Sequence, residues 1–464
     1  MSVEKLKNME VGYDTESITI HNQAVWPVIR LKINECIRSE EGIVSRSFNI
    51  RSNINYNSFK TLFFGFRHLL KFRKYKYWFF SSSDRRKKVN GIYEDRVIEG
   101  LIGESDRLVF ENPYPLGKHY PINSLGKINI ISQSPFYLGE IIFSKLFRIK
   151  SKIQNEQVLK TIVDDYGLSF NYKICIQKYW GQYLFYKTIL RFHKPKVVFL
   201  VYSASSMGMI KALKERNIPV VELQHGIINE KHLAYNVFKD FGNFFYPDYL
   251  MTYGEKELEV FHEENYFITP KNVIPVGYYF LERSRKIKKP ENKYLGYNKI
   301  VVFSFQEVFE NQTFDFLNDA ASLDPSICYV IIPRNVNNSY KQIKLMPNIF
   351  IEREINIYDA LKICDIHATI NSSCAIEALT FGVPSILYNY DNWSSSYFKS
   401  IFGIDGSGYY VKTPEKFIEV IKKNNFASSK QIMKNGETFF KKDFLENFGK
   451  LLNQRIKKKQ NFEN

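Results

Sequence analysis

Val197–Tyr202 reads VVFLVY, with no polar atom before its last hydroxyl, and no other feature limits the fold so sharply. An apolar run this short is a strand covered on both faces, as in a parallel sheet with helices above and below. Its flanks agree. Pro195 stands just ahead, where it cannot break a ladder, and Ser203–Gly208 is a small-residue turn leading into a helix through Lys214. Asn217-Ile218-Pro219 then resets the chain into Val220–Leu223, completing a β-α-β unit. Similar strands are expected at Tyr77–Phe80, Leu108–Glu111, Ile128–Ile131, Pro247–Thr252 and Val273–Val276, with a helix over Glu255–Glu264. The residues before 50 carry no readable pattern.

Glu282–Lys293 (ERSRKIKKPENK) is polar, basic and interrupted by Pro290, and it separates two apolar regions as a linker would. Beyond it the alternation restarts. Strands are expected at Ile300–Phe305, Cys328–Pro333, Ile349–Glu352, His367–Ile370 and Ser385–Leu387. Helices are expected at Thr313–Ser322, Tyr358–Cys364 and Ser373–Phe381, followed by a last unit at Tyr409–Lys423. The organisation implied is an N-terminal acceptor domain over 1–281, a linker over 282–296, a nucleotide-donor domain over 297–429 and a basic helical tail over 430–464. The fold class is α/β, with two Rossmann-like domains facing each other across a cleft. Such sheets bind ligands outside the carboxyl ends of their strands.

Charge narrows the partners. The chain has 464 residues, and 65 Lys and Arg against 48 Asp and Glu give a net charge of +17, which calls for an anionic partner. Ten Lys or Arg lie between Lys60 and Lys88 against one acid, Asp84, with Phe and Trp interleaved. Lys450, Arg455 and Lys457–Lys459 add a basic C-terminus. This pattern suits an anionic membrane surface carrying a lipid-linked acceptor, or simply a solvated face. Nucleic acid fits the charge alone, but no zinc-finger, RRM, KH or basic-zipper pattern accompanies it, so no nucleic-acid partner is expected. The N-terminus lacks an apolar cleavable stretch, and no run reaches the roughly 18 apolar residues of a membrane span. The five cysteines are scattered without metal or disulfide spacing. A cytoplasmic protein is expected, peripheral to the inner face of a membrane.

The stretch richest in chemistry is Ile357–Leu387, IYDALKICDIHATINSSCAIEALTFGVPSIL. A strand ends at Ile370, Asn371-Ser372-Ser373 opens a helix whose N–H groups suit a phosphate, and Glu377 follows one turn in. The same pattern also reads as an ordinary βα turn with a solvated Glu377. The run strand–SS–x–x–x–E–A–x–x–x–G–x–P–x–I resembles the nucleotide-sugar segment of two-domain, GT-B type glycosyltransferases. That resemblance implies Glu377 as the ligand of the donor ribose, and Ser372 and Ser373 as diphosphate contacts. Val273–Gly277 (VIPVG) resembles the end of the N-terminal domain in the same enzymes. The loop after the first strand of the second domain, Phe303-Ser304-Phe305-Gln306-Glu307, lacks that family's glycines. Gln306 is the candidate donor contact there.

Val220–Ile228 (VVELQHGII) places Gln224-His225-Gly226 at a strand's carboxyl end. An imidazole there serves as a general base to an acceptor hydroxyl or as a cationic donor to a phosphate. The motif resembles the Q-H-G of bacterial surface-polysaccharide (capsule and O-antigen) glycosyltransferases and their polyol-phosphate relatives. Asp84, after the Tyr77–Phe80 strand, is a candidate acceptor-side carboxylate, and Arg334, after Ile331-Ile332-Pro333, a candidate phosphate cation. His232 is a weaker candidate for the same cleft. No paired carboxylates stand where a metal-bound diphosphate needs them, so neither metal nor cofactor is expected. The reading is a metal-independent glycosyltransferase using a nucleotide-sugar donor and a saccharide or lipid-linked acceptor. The alternatives are a CDP-glycerol or CDP-ribitol type polyol-phosphate transferase and a nucleotide-sugar epimerase.

Overall fold

The computed structural model describes residues 2–40, 60–101, 105–113, 118–146, 152–334, 340, 342–398, 401–402 and 405–456. Two short antiparallel pairs, β1 (Thr19–Ile20) with β2 (Gln23–Ala24) and β4 (Arg86–Val89) with β5 (Ile92–Asp95), lie outside the main sheets. The first main sheet holds β3 (Tyr77–Ser82), β6 (Arg107–Asn112), β7 (Ile130–Ser132), β8 (Val197–Leu200), β9 (Val220–Leu223), β10 (Tyr249–Thr252) and β11 (Val273–Pro275). The second holds β12 (Lys299–Ser304), β13 (Ile327–Ile332), β14 (Ile349–Ile351), β15 (Ile366–Thr369), β16 (Ser385–Tyr388) and β17 (Gly408–Val411).

Every pairing within the two sheets is parallel. The strand orders are β11-β10-β9-β8-β3-β6-β7 and β14-β13-β12-β15-β16-β17. In each sheet the first strand lies central, the next two run to one side, and the later ones run to the other. That is the doubly wound Rossmann order, and its topological switch points lie between β3 and β8 and between β12 and β15. The protein is therefore an α/β chain of two Rossmann-like domains.

Burial explains the strands. β8 and β9 are buried along their whole length, as strands covered on both faces must be. β15 carries a fully buried His367, whose ring bonds the Ser304 hydroxyl at 2.9 Å and the Ser385 hydroxyl at 3.1 Å on the strands to either side. Burial pushes this imidazole down to about 3, so it is a neutral strut of the sheet.

Three regions differ from expectation. Before residue 50, helices Ser2–Gly12 and Trp26–Glu40 form and send Leu6, Met9, Trp26, Ile29 and Ile33 into the core of the first sheet. The helix expected over Glu255–Glu264 is a single 3₁₀ turn, Lys256–Val260. Its Glu257 turns inward to accept from Gln224 Nε2 at 2.7 Å and from the Gly254 amide at 3.3 Å, which ties the chain down before an α-helix can propagate. The segment read as a linker begins inside helix Tyr279–Lys286, whose Phe280 and Leu281 pack against Tyr358 and Leu361 of the second domain.

The C-terminal segment is helical but far from a purely basic tail. Helix Ser429–Gly436 packs on helix Cys374–Leu379, and helix Phe444–Lys450 crosses back to the first domain. Phe444, Phe448 and Leu451 share a core there with Phe79, Phe199 and Val221. Lys457–Lys459 lie outside the described residues. Among the described residues no helix is long and apolar enough to cross a membrane.

The crossing is close. A Cβ on Gly277, whose φ is +102°, would meet the Lys441 carbonyl oxygen at 2.3 Å, whereas one on Gly91, with φ +84°, would meet nothing within 4 Å. Gly91→Ala should cost only the left-handed backbone penalty of about 1–2 kcal/mol. Gly277→Ala should cost clearly more, because the returning loop at Lys441 must also move. Denaturant unfolding of the two variants checks this; equal losses would show that the crossing yields.

Candidate active site

The two switch points place loops from both domains around the space between them. From the first domain come the turn after β3, the hairpin β4–β5, and the Gln224-His225-Gly226 loop after β9. From the second come the loop after β12 and the Asn371-Ser372-Ser373 turn after β15.

The hairpin turns on Asn90-Gly91, both with positive φ, a pairing suited to a tight two-residue turn. Its register sets the destination of each cation. Arg86 points inward, where Nε meets Glu111 at 2.5 Å, and Glu111 also holds His119 Nδ1 at 2.8 Å. Lys87, one residue on, leaves by the opposite face. At the mouth of the hairpin the Arg96 amide donates to the Arg85 carbonyl at 3.3 Å, which sets the two arginines side by side. Arg96 Nη2 then reaches the His225 carbonyl at 3.5 Å. The Nε atoms of Arg85 and Arg96 are buried without a hydrogen-bond partner among the described residues.

Opposite them stands Glu377, 2% exposed. Its Oε1 accepts from the Ser373 hydroxyl at 3.0 Å, and its Oε2 is buried with no partner among the described residues. Arg96 lies in the field of this carboxylate and of Tyr253, Tyr278 and Tyr358. Lys87 is lowered to about 8 by burial and by the repulsion of Arg96 and Arg334. Cations from both domains thus face one space, with the buried carboxylates of Glu377 and Asp95 among them.

Ser372 is buried and spends its Oγ accepting from the Cys374 amide at 3.3 Å. The helix it opens, Cys374–Leu379, is only six residues long, shorter than the sequence implied. Positive potential at this end of the cleft therefore comes mainly from guanidinium and ammonium groups. Gln306 follows β12 half-buried, its carbonyl accepting from the Phe309 amide at 3.0 Å. Arg334 is exposed at the end of β13, within the field felt by Lys87 and Tyr397. Asp84 is exposed on the turn after β3.

His225 is half-buried, with its ring edge-on to Tyr202 at 5.8 Å. The ring bonds the Val201 backbone, and Nδ1 is buried without a hydrogen-bond partner among the described residues. Burial first, then Arg85, His232 and Arg96, push its pKa well below the ordinary 6.5. The imidazole is neutral at physiological pH.

A cavity of about 370 Å³ adjoins the Gln224-His225-Gly226 loop between the domains, lined among others by Gln224, Glu257, Ser373, Glu377, Tyr397 and Phe440. A larger one, about 1450 Å³, runs from Tyr202 after β8 to Asn371 after β15, with His232 in its wall. Among the described residues no three His, Cys, Asp or Glu side chains group as a metal site requires. Sequence reasoning missed Arg96, Tyr253, Tyr278 and Tyr358 and gave Arg85 and Lys87 to the outer surface. Asn90-Gly91 was the available signal, since a hairpin there returns the chain at Arg96 beside Arg85.

No protein-family model matches the chain, and no curated protein does. Among solved structures it is similar to S. aureus MnaA in complex with UDP, at 10% identity over 83% of this chain and 97% of that one, with a TM-score of 0.48. The Neisseria meningitidis UDP-GlcNAc 2-epimerase bound to UDP-GlcNAc matches at 12% over 81% and 99%, with a TM-score of 0.44. CalG4, the calicheamicin glycosyltransferase, matches at 12% over 81% and 95%, with a TM-score of 0.47. These are distant likenesses, and the fold assignment rests on the strand order and parallel register of the two sheets.

Because Arg85 and Arg96 add to burial in holding His225 neutral, removing one should raise its pKa. In Arg96→Gln or Arg85→Gln the ring should titrate closer to 6.5, read from its imidazole signals by NMR. The depressed pKa also makes the folded state lose stability as pH falls below 6.5, where the unfolded chain takes the proton first. An unchanged His225 titration in both variants would remove the arginines from its surroundings.

Proposed function

We propose that the protein is a glycosyltransferase that moves a sugar from a nucleotide-activated donor to a saccharide or lipid-linked acceptor. Its setting is surface-polysaccharide assembly of the capsule or O-antigen kind, at the inner face of a membrane. The observation that carries the reading is Glu377, a buried carboxylate with an unused oxygen, facing cations from both domains across one cleft. A carboxylate accepts two ribose hydroxyls, and the cations meet the charge of a diphosphate.

In this mechanism Glu377 fixes the nucleoside, and Ser373 orients it by donating to Oε1. Arg85, Lys87 and Arg96 from one side and Arg334 from the other neutralise the diphosphate, in place of a glycine-rich loop. Gln306 lies at the donor end. The acceptor hydroxyl attacks the anomeric carbon, the bond from that carbon to the diphosphate oxygen breaks, and the hydroxyl proton passes to His225 Nδ1. The nucleoside diphosphate leaves against the cations, which stabilise charge as it develops. The neutrality of His225 favours the base role over the cationic one. Asp84, at the rim, is placed to orient an acceptor. No step requires a metal.

Thermal stabilisation by UDP, GDP, CDP and CMP identifies the nucleotide; a ligand at 100 times its Kd stabilises by about 2.7 kcal/mol. Glu377→Ala should weaken that nucleotide by about 1.5–3 kcal/mol. His225→Ala should leave binding nearly intact and lower kcat by about 10²- to 10⁴-fold. Nucleotide affinity unchanged in a folded Glu377→Ala protein would sink the ribose assignment. Turnover should survive EDTA, and loss restored by Mg²⁺ or Mn²⁺ would refute metal independence. Conversion of the donor sugar with no acceptor present would make the enzyme an epimerase instead.

A further inference from the structure

Helix Ser134–Leu146 is apolar on both sides. Its inner side packs tightly on helix Tyr172–Ile189: a Cβ on Gly139 would meet the Phe185 ring at 2.1 Å, and the Phe143 and Phe185 rings lie 5.7 Å apart. Its outer side exposes Tyr137 (57%), Leu138 (44%), Ile142 (56%) and Leu146 (75%). At about 100° per residue, these four and exposed Lys145 share one half of the helix circumference. A surface helix ordinarily turns polar residues outward, and one that is apolar all round is covered by something.

The segment before β3 adjoins this helix. Thr61 Oγ1 donates to Ser134 Oγ at 3.0 Å, and the Ser132 amide donates to the Phe64 carbonyl at 3.1 Å. It adds Phe66 (45%) and Leu70 (76%) to the exposed apolar surface. Arg67, Lys71 and Lys74 are exposed on the same segment, and no Asp or Glu occurs from Lys60 to Ser83. The Lys60–Ser83 segment is thus exclusively cationic, and the outward half of the helix adds Lys145 beside its apolar side chains.

We infer that this face is a docking surface for an anionic lipid bilayer. Charge complementarity selects that occupant: apolar side chains enter the headgroup boundary while Arg67, Lys71, Lys74 and Lys145 meet lipid phosphates. The inference assigns the surface only to part of the basic run, since Arg85, Arg86 and Lys87 face the cleft or Glu111. The inference stands apart from the chemistry proposed for the cleft, and its test uses no turnover.

The full chain is sedimented with vesicles of phosphatidylcholine alone and of phosphatidylcholine with phosphatidylglycerol. Anionic vesicles should bind it at least about tenfold better, each cation contributing about fivefold to the partition. Arg67→Gln/Lys71→Gln/Lys74→Gln and, separately, Leu138→Ser/Ile142→Ser should each lower that binding about tenfold or more. The second set lies on exposed positions, so its melting temperature should match the parent. Equal binding to both vesicle types, no binding, or full binding by both variants overturns the proposal. A dimer in solution that Leu138→Ser/Ile142→Ser dissociates, without vesicle binding, would make the face a self-association surface and overturn it too.

Discussion

The chain after Gly436 runs back to the first domain, and the placement of the two sheets depends on that return. Phe444, Phe448 and Leu451 are buried beneath the first sheet, each worth about 1.5–3 kcal/mol of burial. On the way the Lys441 amide donates to the Tyr253 carbonyl at 2.8 Å, and the Phe444 amide meets Glu282 at 3.2 Å. Gly254 and Gly277 give the backbone room at the carboxyl ends of β10 and β11. Covalent continuity near Tyr279–Lys286 and this return make two crossings between the domains. Two crossings restrict their relative rotation more than one would, and so hold the cleft open between fixed walls.

A second constraint acts on the loop that carries His225. Glu10 and Arg30, both fully buried, form an ion pair at 2.6 Å between the first two helices. Glu10 also accepts from Trp26 Nε1 at 2.9 Å and the Phe238 amide at 3.0 Å. Arg30 donates to the Leu233 and Asn236 carbonyls at 2.8 and 2.7 Å. A buried pair is weak evidence of net stability, but leaving one partner alone is costly. Here its bonds fix the loop that follows Gln224-His225-Gly226. The first 40 residues also reach the larger cavity directly, through Glu4, Lys7, Asn34 and Glu35.

Electrostatics and burial work against each other between the domains. Desolvating Arg85, Lys87 and Arg96 disfavours their charge, and the fall of Lys87 to about 8 shows that cost. Buried Glu377 and Asp95, with Asp84 at the rim, supply the counter-charge. The aromatic wall of Tyr253 and Tyr278, stacked at 4.4 Å, keeps water from screening the cluster. A dianion entering this space relieves repulsion that the folded chain otherwise carries.

The sequence by itself determined the layers. Runs such as VVFLVY and VVEL are apolar on both faces, and that property is local, so the strands, the doubly wound order and the restart after residue 296 were legible. The places of Glu377 and His225 just after strand ends were legible too, because that spacing is tied to backbone geometry. The helices of the first 40 residues were not, since their apolar faces are broken by Glu10 and Arg30, which become acceptable inside only because they meet each other. The charged C-terminal segment likewise gave no sign that Phe444 and Phe448 enter the core of the first domain. The cations divided least predictably: Arg86 pairs with Glu111, Lys87 faces the second domain, and Arg67 and Lys71 face outward, from one continuous basic run. Charge and composition are identical before folding. Only the hairpin's register and the domain standing opposite decide which charge meets a carboxylate, which meets the cleft and which meets solvent.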